Sequence, residues 1–142
     1  IQSPLWQNLK DTIEKAASLL DTGNISLDLD VDSIEVFADP LLEKVFFNLI
    51  DNSLRYGRHL TKISVSAILT GSDLMLVYED DGGGIPIAEK ENIFIRKYFS
   101  NTGFGLFLSR EILSITGLTI VENGEFEVGA RFEIHVPKGG FR

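Results

Sequence analysis

The 142-residue sequence predicts one α+β domain in which helices cover one face of a mixed β-sheet. Segments with apolar residues at helical spacing are interspersed with short segments in which apolar and polar residues alternate, as in half-buried strands. Glycine, asparagine and aspartate separate these segments and mark turns. No internal repeat, linker or low-complexity stretch divides the chain, and its length suits a single core.

The first predicted element is a helix over residues 4–20, which carries the apolar residues Trp6, Leu9, Ile13 and Leu20 on one side. The run D-T-G-N that follows is typical of a helix end. Its apolar stripe either packs on the domain's own sheet or forms a docking surface for helices that precede it in a longer protein. Residues 25–30 and 34–38 alternate apolar and polar side chains and predict two strands.

A second helix is predicted to end at Gly57, with Asp39 as its N-cap and Pro40 at its first position. Its buried stripe consists of Leu42, Val45, Phe46, Leu49 and Ile50. Asn48 and Asn52 are four residues apart and therefore lie on one flank of that stripe, where Arg55 and Tyr56 follow one turn later. This polar flank is either a solvated helix edge or part of a binding site.

The second half of the chain begins with strands over 61–69 and 74–79, joined as a hairpin by Gly71-Ser72-Asp73. The run E-D-D-G-G-G-I-P at 79–86 forbids regular structure, and residues 87–102 show no clean period. A helix is predicted after Gly103-Phe104-Gly105. Strands over 118–122 and 130–136 complete the sheet and are joined across Asn123-Gly124.

Composition excludes several classes of protein. A formal charge of -8 argues against general binding of nucleic acid or anionic membranes, which requires a basic surface. The absence of cysteine excludes disulfides and thiolate metal sites and fits a reducing compartment, and we expect a cytoplasmic domain. No apolar run is long enough to span a bilayer. Because the chain opens on Ile1 rather than Met, we expect it to be a piece of a longer protein.

Three segments carry chemistry suited to a nucleotide. Asp80, at the end of a predicted strand, can accept a hydrogen bond from an exocyclic amine such as that of adenine, and Gly82 and Gly84 allow close backbone approach. The amide oxygen of Asn52 is a hard ligand that suits Mg²⁺ beside phosphates. The loop 101–106 leads into a helix whose free N–H groups can cradle phosphate. Each segment alone also fits a structural interpretation: a tight turn, a solvated edge or an ordinary helix start.

The order of these segments resembles the catalytic, ATP-binding domain of sensor histidine kinases. N-L-I-D-N-S-L-R-Y-G is similar to the kinase N box, D-D-G-G-G-I-P to the first glycine box and N-T-G-F-G-L-F-L to the second. The flanks A-D-P and G-A-R-F-E-I-H-V-P also match, and the short lid is most similar to archaeal or related kinases. The resemblance implies a two-layer α/β sandwich with a mostly antiparallel sheet, the Bergerat-type ATP-binding fold, and places the whole chain, 1–142, in one domain.

That resemblance assigns roles to individual residues. It implies that Asn52 holds Mg²⁺, that Asn48 and Asn52 serve the transfer step, that Asp80 reads adenine, and that 87–102 is a lid over the nucleotide. The further nucleotide-binding residues that it implies are Arg55, Tyr56, Gly82, Gly84, Ile85, Thr102, Gly103, Phe104, Gly105 and Leu106. Some positions depart from the family pattern. Asp81 stands where Asn is common, Phe104 where Leu is usual, and the lid lacks an expected acid and glycine.

The implied activity is transfer of the γ-phosphoryl group of ATP to a histidine on the dimerisation helices of a parent kinase, with a response regulator as an indirect partner. Members of the superfamily that hydrolyse ATP carry Glu as a general base where this chain has Asn48, so we expect slow hydrolysis. His59 and His135 do not lie in the helical setting of a phospho-acceptor. We expect dimerisation only through segments outside the chain. Two alternatives are a serine kinase of the anti-sigma-factor type and a nucleotide-sensing or docking module without transfer.

Overall fold

The computed structural model describes residues 2–95 and 105–142, which form two β-sheets and three α-helices. A five-stranded sheet has the order β2-β4-β5-β7-β6, formed by β2 (Ser26–Asp30), β4 (Lys62–Thr70), β5 (Asp73–Asp80), β6 (Thr119–Glu122) and β7 (Arg131–Val136). Only β2 and β4 pair in parallel, and the other neighbours are antiparallel. The helices lie on one face of this sheet, so the predicted fold class is confirmed.

The three helices are α1 (Leu9–Ser18), α2 (Leu42–Tyr56) and α3 (Gly105–Ser114). Helix α2 packs against both α1 and α3 and is therefore the central helix of its layer. Alternate residues of the central strands face these helices and are buried, as period-two alternation predicts. The core that they form with α2 includes Val45, Phe46, Leu49, Ile50, Leu76, Tyr78, Phe132 and Ile134.

The prediction of a helix over residues 4–20 is wrong at its start. Leu5–Asn8 forms a strand, β1, which pairs antiparallel with β3 (Glu35–Ala38) in a separate two-stranded sheet. The ring of Trp6 packs against Phe37, with 5.4 Å between the ring centroids. Asn8 then caps α1, because its side chain accepts a hydrogen bond from the N–H of Asp11 at 2.9 Å. A cap at Asn8 cannot coexist with a helix that starts four residues earlier.

Helix α2 begins two residues later than predicted, at Leu42. Asp39 is not its N-cap, but its carboxylate accepts a hydrogen bond from the N–H of Leu41 at 2.9 Å and closes the turn before the helix. The predicted hairpin about Gly71 is confirmed, and Gly71 has a φ of +66°, which favours glycine. In the described part of the chain, no helix is both long and apolar enough to cross a membrane.

Candidate functional site

Helix α2 makes hydrogen bonds both to the end of β5 and to the start of α3. It thereby links the three segments singled out in the sequence. At its C-terminal half, the hydroxyl of Ser53 donates to Asp80 Oδ2 at 2.6 Å. One turn earlier, the amide of Asn48 donates to the carbonyl oxygen of Gly105, the first residue of α3, at 2.8 Å. Asn52, next to Ser53 in the chain, lies on the helix between these two contacts.

Asp80 is held by three hydrogen bonds. Its Oδ1 accepts from the N–H groups of Gly82 and Ala130, both at 3.0 Å, and its Oδ2 accepts from Ser53. A carboxylate has about four acceptor positions, so one lone pair of Oδ2 is left for another donor. Asp80 is partly exposed, so a ligand can approach this residue.

Asn48 has a different environment from the other predicted site residues. It is 8% exposed, and its amide nitrogen donates both to Gly105 O and to the hydroxyl of Ser109, the latter at 3.1 Å. Ser109 in turn donates to Gly105 O at 2.8 Å. The Asn48 amide nitrogen thus joins α2 to the first turn of α3, and both of its hydrogen bonds go to protein groups.

The remaining predicted residues of α2 are more exposed. Asn52 is half-buried, and its side chain makes no hydrogen bond to another described residue. Arg55 is exposed and its Nε lies 3.1 Å from both carboxylate oxygens of Asp51. Tyr56 is also exposed, at 43%. Among the residues described, no three His, Asp or Glu side chains are close enough together to hold a metal ion.

The glycines after β5 allow close backbone packing. A Cβ on Gly82 would lie 2.7 Å from the Cα of Gly57, the residue that ends α2. Gly84 has a φ of +73°, and a Cβ there would lie 2.8 Å from the carbonyl oxygen of Glu125. These positions therefore hold the glycine-rich loop against the end of α2 and against the loop between β6 and β7.

A cleft of about 530 Å³ opens beside this glycine-rich loop. Of the predicted site residues, it includes Tyr56, Gly82 and Gly84, but not Asn52 or Asp80. Its wall combines cationic, acidic and aromatic groups. The complete lining is Tyr56, Arg58, His59, Asp81, Gly82, Gly83, Gly84, Pro86, Phe126 and Glu127.

Asp81, which departs from the family pattern, fastens the loop that follows α2. Its Oδ1 accepts from the N–H groups of Thr61 and Lys62, at 2.8 and 3.0 Å, and its Oδ2 accepts from the hydroxyl of Thr61. These hydrogen bonds, the one from the Thr61 hydroxyl foremost, lower the pKa of Asp81 below its usual value. A carboxylate suits this position because all three neighbouring groups are donors.

The predicted second glycine box is only partly described. Thr102, Gly103 and Phe104 lie outside the described residues, as do Arg96 and Lys97 of the predicted lid. Gly105 begins α3, and the side chain of Leu106 is buried in the core, so only its main chain can meet a ligand. Ile85 is partly buried and packs against the core.

The first part of the predicted lid, up to residue 95, is folded against the domain. It contains two 3₁₀ turns, Ile87–Glu89 and Asn92–Phe94, and the side chains of Ile93 and Phe94 are buried. Lys90 pairs with the buried carboxylate of Glu122 and also donates to the carbonyl oxygen of Gly124 at 2.8 Å. These contacts hold residues 87–94 against the domain, while the lid over 87–102 stays a prediction.

Sequence reasoning assigned no role to Ser53, Tyr78, Ser109 or Ala130, which all contact predicted site residues or each other. Of these, Ser53 is the one whose role the sequence could have indicated. It lies four residues after Leu49, on the apolar stripe of α2, where a buried hydroxyl requires a hydrogen-bond partner. The N–H of Ala130 carries no signal in its sequence, because a main-chain donor is available at almost any residue.

The comparisons with known proteins fit this geometry. The family model described as "Histidine kinase-, DNA gyrase B-, and HSP90-like ATPase" matches residues 38–140, which is most of the chain and includes all three segments. The chain belongs to this ATPase family. The catalytic domain of histidine kinase ThkA has the same fold, with a TM-score of 0.77 and 26% identity over 96% of this chain and 97% of that one. The resemblance to histidine kinase ATP-binding domains is thereby confirmed.

Two curated relatives of this ATPase-family domain are sensor proteins of Escherichia coli strain K12. The chain is 34% identical to the sensor protein PhoQ over 137 residues, which cover 93% of the chain and 28% of PhoQ. It is 30% identical to the sensor protein KdpD over an alignment of 145 positions, which covers 94% of the chain and 16% of KdpD. The chain therefore spans less than a third of either of these relatives.

Proposed function

We propose that this domain binds ATP with Mg²⁺ and transfers the γ-phosphoryl group to a histidine on the dimerisation helices of a parent kinase. Membership of the ATPase family and similarity to sensor kinases support this assignment. The observation that carries it is the pair of contacts made by α2, to Asp80 through Ser53 and to the start of α3 through Asn48. Asp80, proposed to recognise the base, and the start of α3, proposed to bind phosphate, are thus both hydrogen-bonded to α2.

In this proposal, Asp80 recognises the base. The free lone pair of Oδ2 accepts the exocyclic amine of adenine, whereas guanine presents an oxygen acceptor at the same place. Two acceptors facing each other leave both unpaired, which disfavours guanine by about 1–3 kcal/mol. Tyr56, exposed beside the glycine-rich loop, offers its ring and hydroxyl to the nucleotide.

Asn52 is the residue that fits Mg²⁺. Its amide is not engaged by another described residue, and its oxygen is the hard type of ligand that Mg²⁺ accepts together with phosphate oxygens and water. Bound Mg²⁺ supplies neutralisation of the phosphate charge. Arg55 can add a positive charge, provided that it exchanges its partner Asp51 for phosphate.

The phosphate chain is assigned to the N-terminus of α3, where the N–H groups of the first turn have no partner within the helix. Asn48 and Ser109 support this end by fixing the carbonyl oxygen of Gly105. Thr102, Gly103 and Phe104 remain proposals that rest on the sequence. Phosphoryl transfer depends mainly on such positioning and charge stabilisation.

The acceptor must come from elsewhere, because neither histidine of this domain lies on a helix. His59 is in the loop after α2, and His135 is in β7, where it pairs with Asp73 at 2.8 Å. Asn48, in the place of a general base, cannot take a proton from water at neutral pH. Both points favour transfer to a partner over hydrolysis. The response regulator enters as an indirect partner, and a cytoplasmic location is part of the same proposal.

The test is to incubate the parent protein, with its dimerisation helices, with γ-radiolabelled ATP and Mg²⁺. We expect label that is stable in base and lost in acid, as for phosphohistidine, and no label on this domain alone. Label that survives acid, on a serine of a partner protein, would instead identify a serine kinase. ATP binding without any label would identify a nucleotide-sensing module.

A further inference from the structure

Two buried hydroxyl groups lie directly behind Asp80, and the function proposed above assigns neither of them a part in the choice of base. Ser53 is 2% exposed and Tyr78 is 1% exposed. The Ser53 hydroxyl lies 2.6 Å from Asp80 Oδ2 and 2.7 Å from the Tyr78 hydroxyl. The Tyr78 hydroxyl also lies 3.1 Å from the carbonyl oxygen of Leu49, one turn before Ser53 on α2. Together they form a chain of hydrogen bonds from the core to the candidate site.

The chemistry of these groups determines the direction of the hydrogen bonds. A carboxylate only accepts, so the single proton of Ser53 points to Asp80. The Ser53 oxygen must then accept from Tyr78, whose proton is shared between Ser53 and the carbonyl oxygen of Leu49. Burial raises the pKa of the Tyr78 phenol far above its ordinary value, so that this group stays a donor.

The direction matters because it fixes what Asp80 can offer a ligand. Donors fill both acceptor positions of Oδ1 and one of Oδ2, namely the N–H groups of Gly82 and Ala130 and the hydroxyl of Ser53. The Ser53 proton cannot turn toward the ligand without leaving the carboxylate unpaired on that side. A ligand therefore meets a fixed acceptor rather than a hydroxyl that could adapt to either a donor or an acceptor.

We infer that Ser53 and Tyr78 are positioning residues that hold Asp80 as a fixed acceptor and so set the preference for a purine with an exocyclic amine over one with an oxygen. This inference rests on the proposed function, because it presupposes that Asp80 contacts the base. It goes further in assigning base selectivity to two side chains that do not touch the nucleotide.

Ser53→Ala and Tyr78→Phe test the inference, since each removes one hydroxyl and keeps the rest of the side chain. The measurement is calorimetric titration of the domain with ATP and with GTP, each with Mg²⁺. For Ser53→Ala we expect ATP affinity to fall about tenfold while GTP affinity hardly changes, because a hydrogen bond to a charged group is lost. For Tyr78→Phe we expect a change in the same direction, roughly threefold, since Ser53 keeps its bond to Asp80.

Thr12→Val is the matched control, because within the described residues the buried Thr12 hydroxyl on α1 donates only to the carbonyl oxygen of Asn8, at 2.7 Å, and has no hydrogen bond to Asp80. We expect it to leave the ratio of ATP to GTP affinity unchanged. Thermal unfolding of each variant separates loss of fold from loss of selectivity. A wild type that prefers ATP, with variants that keep its ratio, overturns the inference and leaves the proposed function standing. A wild type that binds neither nucleotide overturns both.

Discussion

Asn52 is the residue on which the proposed phosphate chemistry depends most directly. Its amide has no hydrogen bond to the rest of the described chain, so Asn52→Ala should leave the free energy of unfolding nearly unchanged, within about 0.5 kcal/mol. The same change removes the proposed ligand of Mg²⁺. We expect ATP binding to lose its dependence on Mg²⁺, which calorimetric titration with and without the metal measures.

The control for that experiment is Asn24→Ala, which changes an exposed asparagine in the loop before β2. It should alter neither stability nor the response to Mg²⁺. If Asn52→Ala still gains ATP affinity on addition of Mg²⁺ as the wild type does, the metal is held by other groups and the assigned role of Asn52 is wrong.

Asp81 gives a second prediction at the scale of one residue, and it concerns pH. Hydrogen bonds from Thr61 and Lys62 lower its pKa in the folded state. A lowered pKa means that the carboxylate stabilises the fold fully above its unfolded pKa of about 4 and that this stabilisation is lost as the pH falls through the folded value. Asp81→Asn should therefore reduce the melting temperature at pH 7, and the difference from wild type should shrink below about pH 4.

The reason is the charge of the acceptor. Asparagine can keep its oxygen for the N–H groups of Thr61 and Lys62 and donate from its NH₂ group to the Thr61 hydroxyl, but these hydrogen bonds are then neutral and weaker than those to a carboxylate. Glu125→Gln, an exposed change in the loop after β6, serves as the control for a simple loss of charge. A difference in melting temperature between Asp81→Asn and wild type that stays constant from pH 7 to pH 3 would contradict the assignment.

At the scale of elements, the glycine-rich loop makes a prediction through its packing against α2. In Gly82→Ala the new Cβ would lie 2.7 Å from the Cα of Gly57, and neither backbone can move without disturbing the end of α2. We expect a loss of about 1–3 kcal/mol in the free energy of unfolding, measured in urea. The neighbouring Gly83→Ala is a matched control, because its Cβ would only meet the Arg58 side chain at an ordinary 3.5 Å. Equal stability of the two variants would show that the loop can shift freely.

A helix or strand could be predicted from the sequence where its apolar residues recur at a regular spacing that forms one buried face. Helix α2 follows from the helical spacing of its own buried stripe, and the hairpin follows from alternation in β4 and β5, which are neighbours both in sequence and in space. Strand β1 could not be predicted from local spacing, since Trp6 fits a helical stripe as well as a strand. What decides its conformation is pairing with β3, about 30 residues away, and no local pattern reports such a partner.

The candidate site shows the same limit. Asp80, Asn48 and the glycines were predicted from residue types in order along the chain, while the hydrogen bonds that Asp80 receives from Ser53 and Ala130 were not. Those donors are distant in sequence, and one of them is a main-chain group. The sequence therefore points to candidate site residues by their type, but it does not show which residues hold them in place.

At the scale of the whole molecule, the pair of Lys90 and Glu122 fastens the segment after the glycine-rich loop to the far edge of the sheet. The Glu122 side chain is fully buried and also accepts from the N–H groups of Gly124 and Arg131, both at 3.0 Å. Removal of one partner from a buried pair leaves an uncompensated charge. Because the Lys90 side chain is only 20% exposed, Lys90→Met should cost about 2–4 kcal/mol of unfolding free energy in urea.

The double variant Lys90→Met with Glu122→Gln distinguishes a buried charge from lost packing. It removes both charges, so part of the stability lost in Lys90→Met should return, whereas a packing defect would grow with the second change. Lys10→Met is the surface control: Lys10 pairs with the exposed Asp32 at 3.0 Å, and exposed pairs contribute little. If Lys90→Met unfolds at the same urea concentration as Lys10→Met, the buried pair does not hold this segment. The position of this segment would then depend on other contacts, namely the burial of Ile93 and Phe94 and the pair of Glu91 with Arg110 at 3.1 Å.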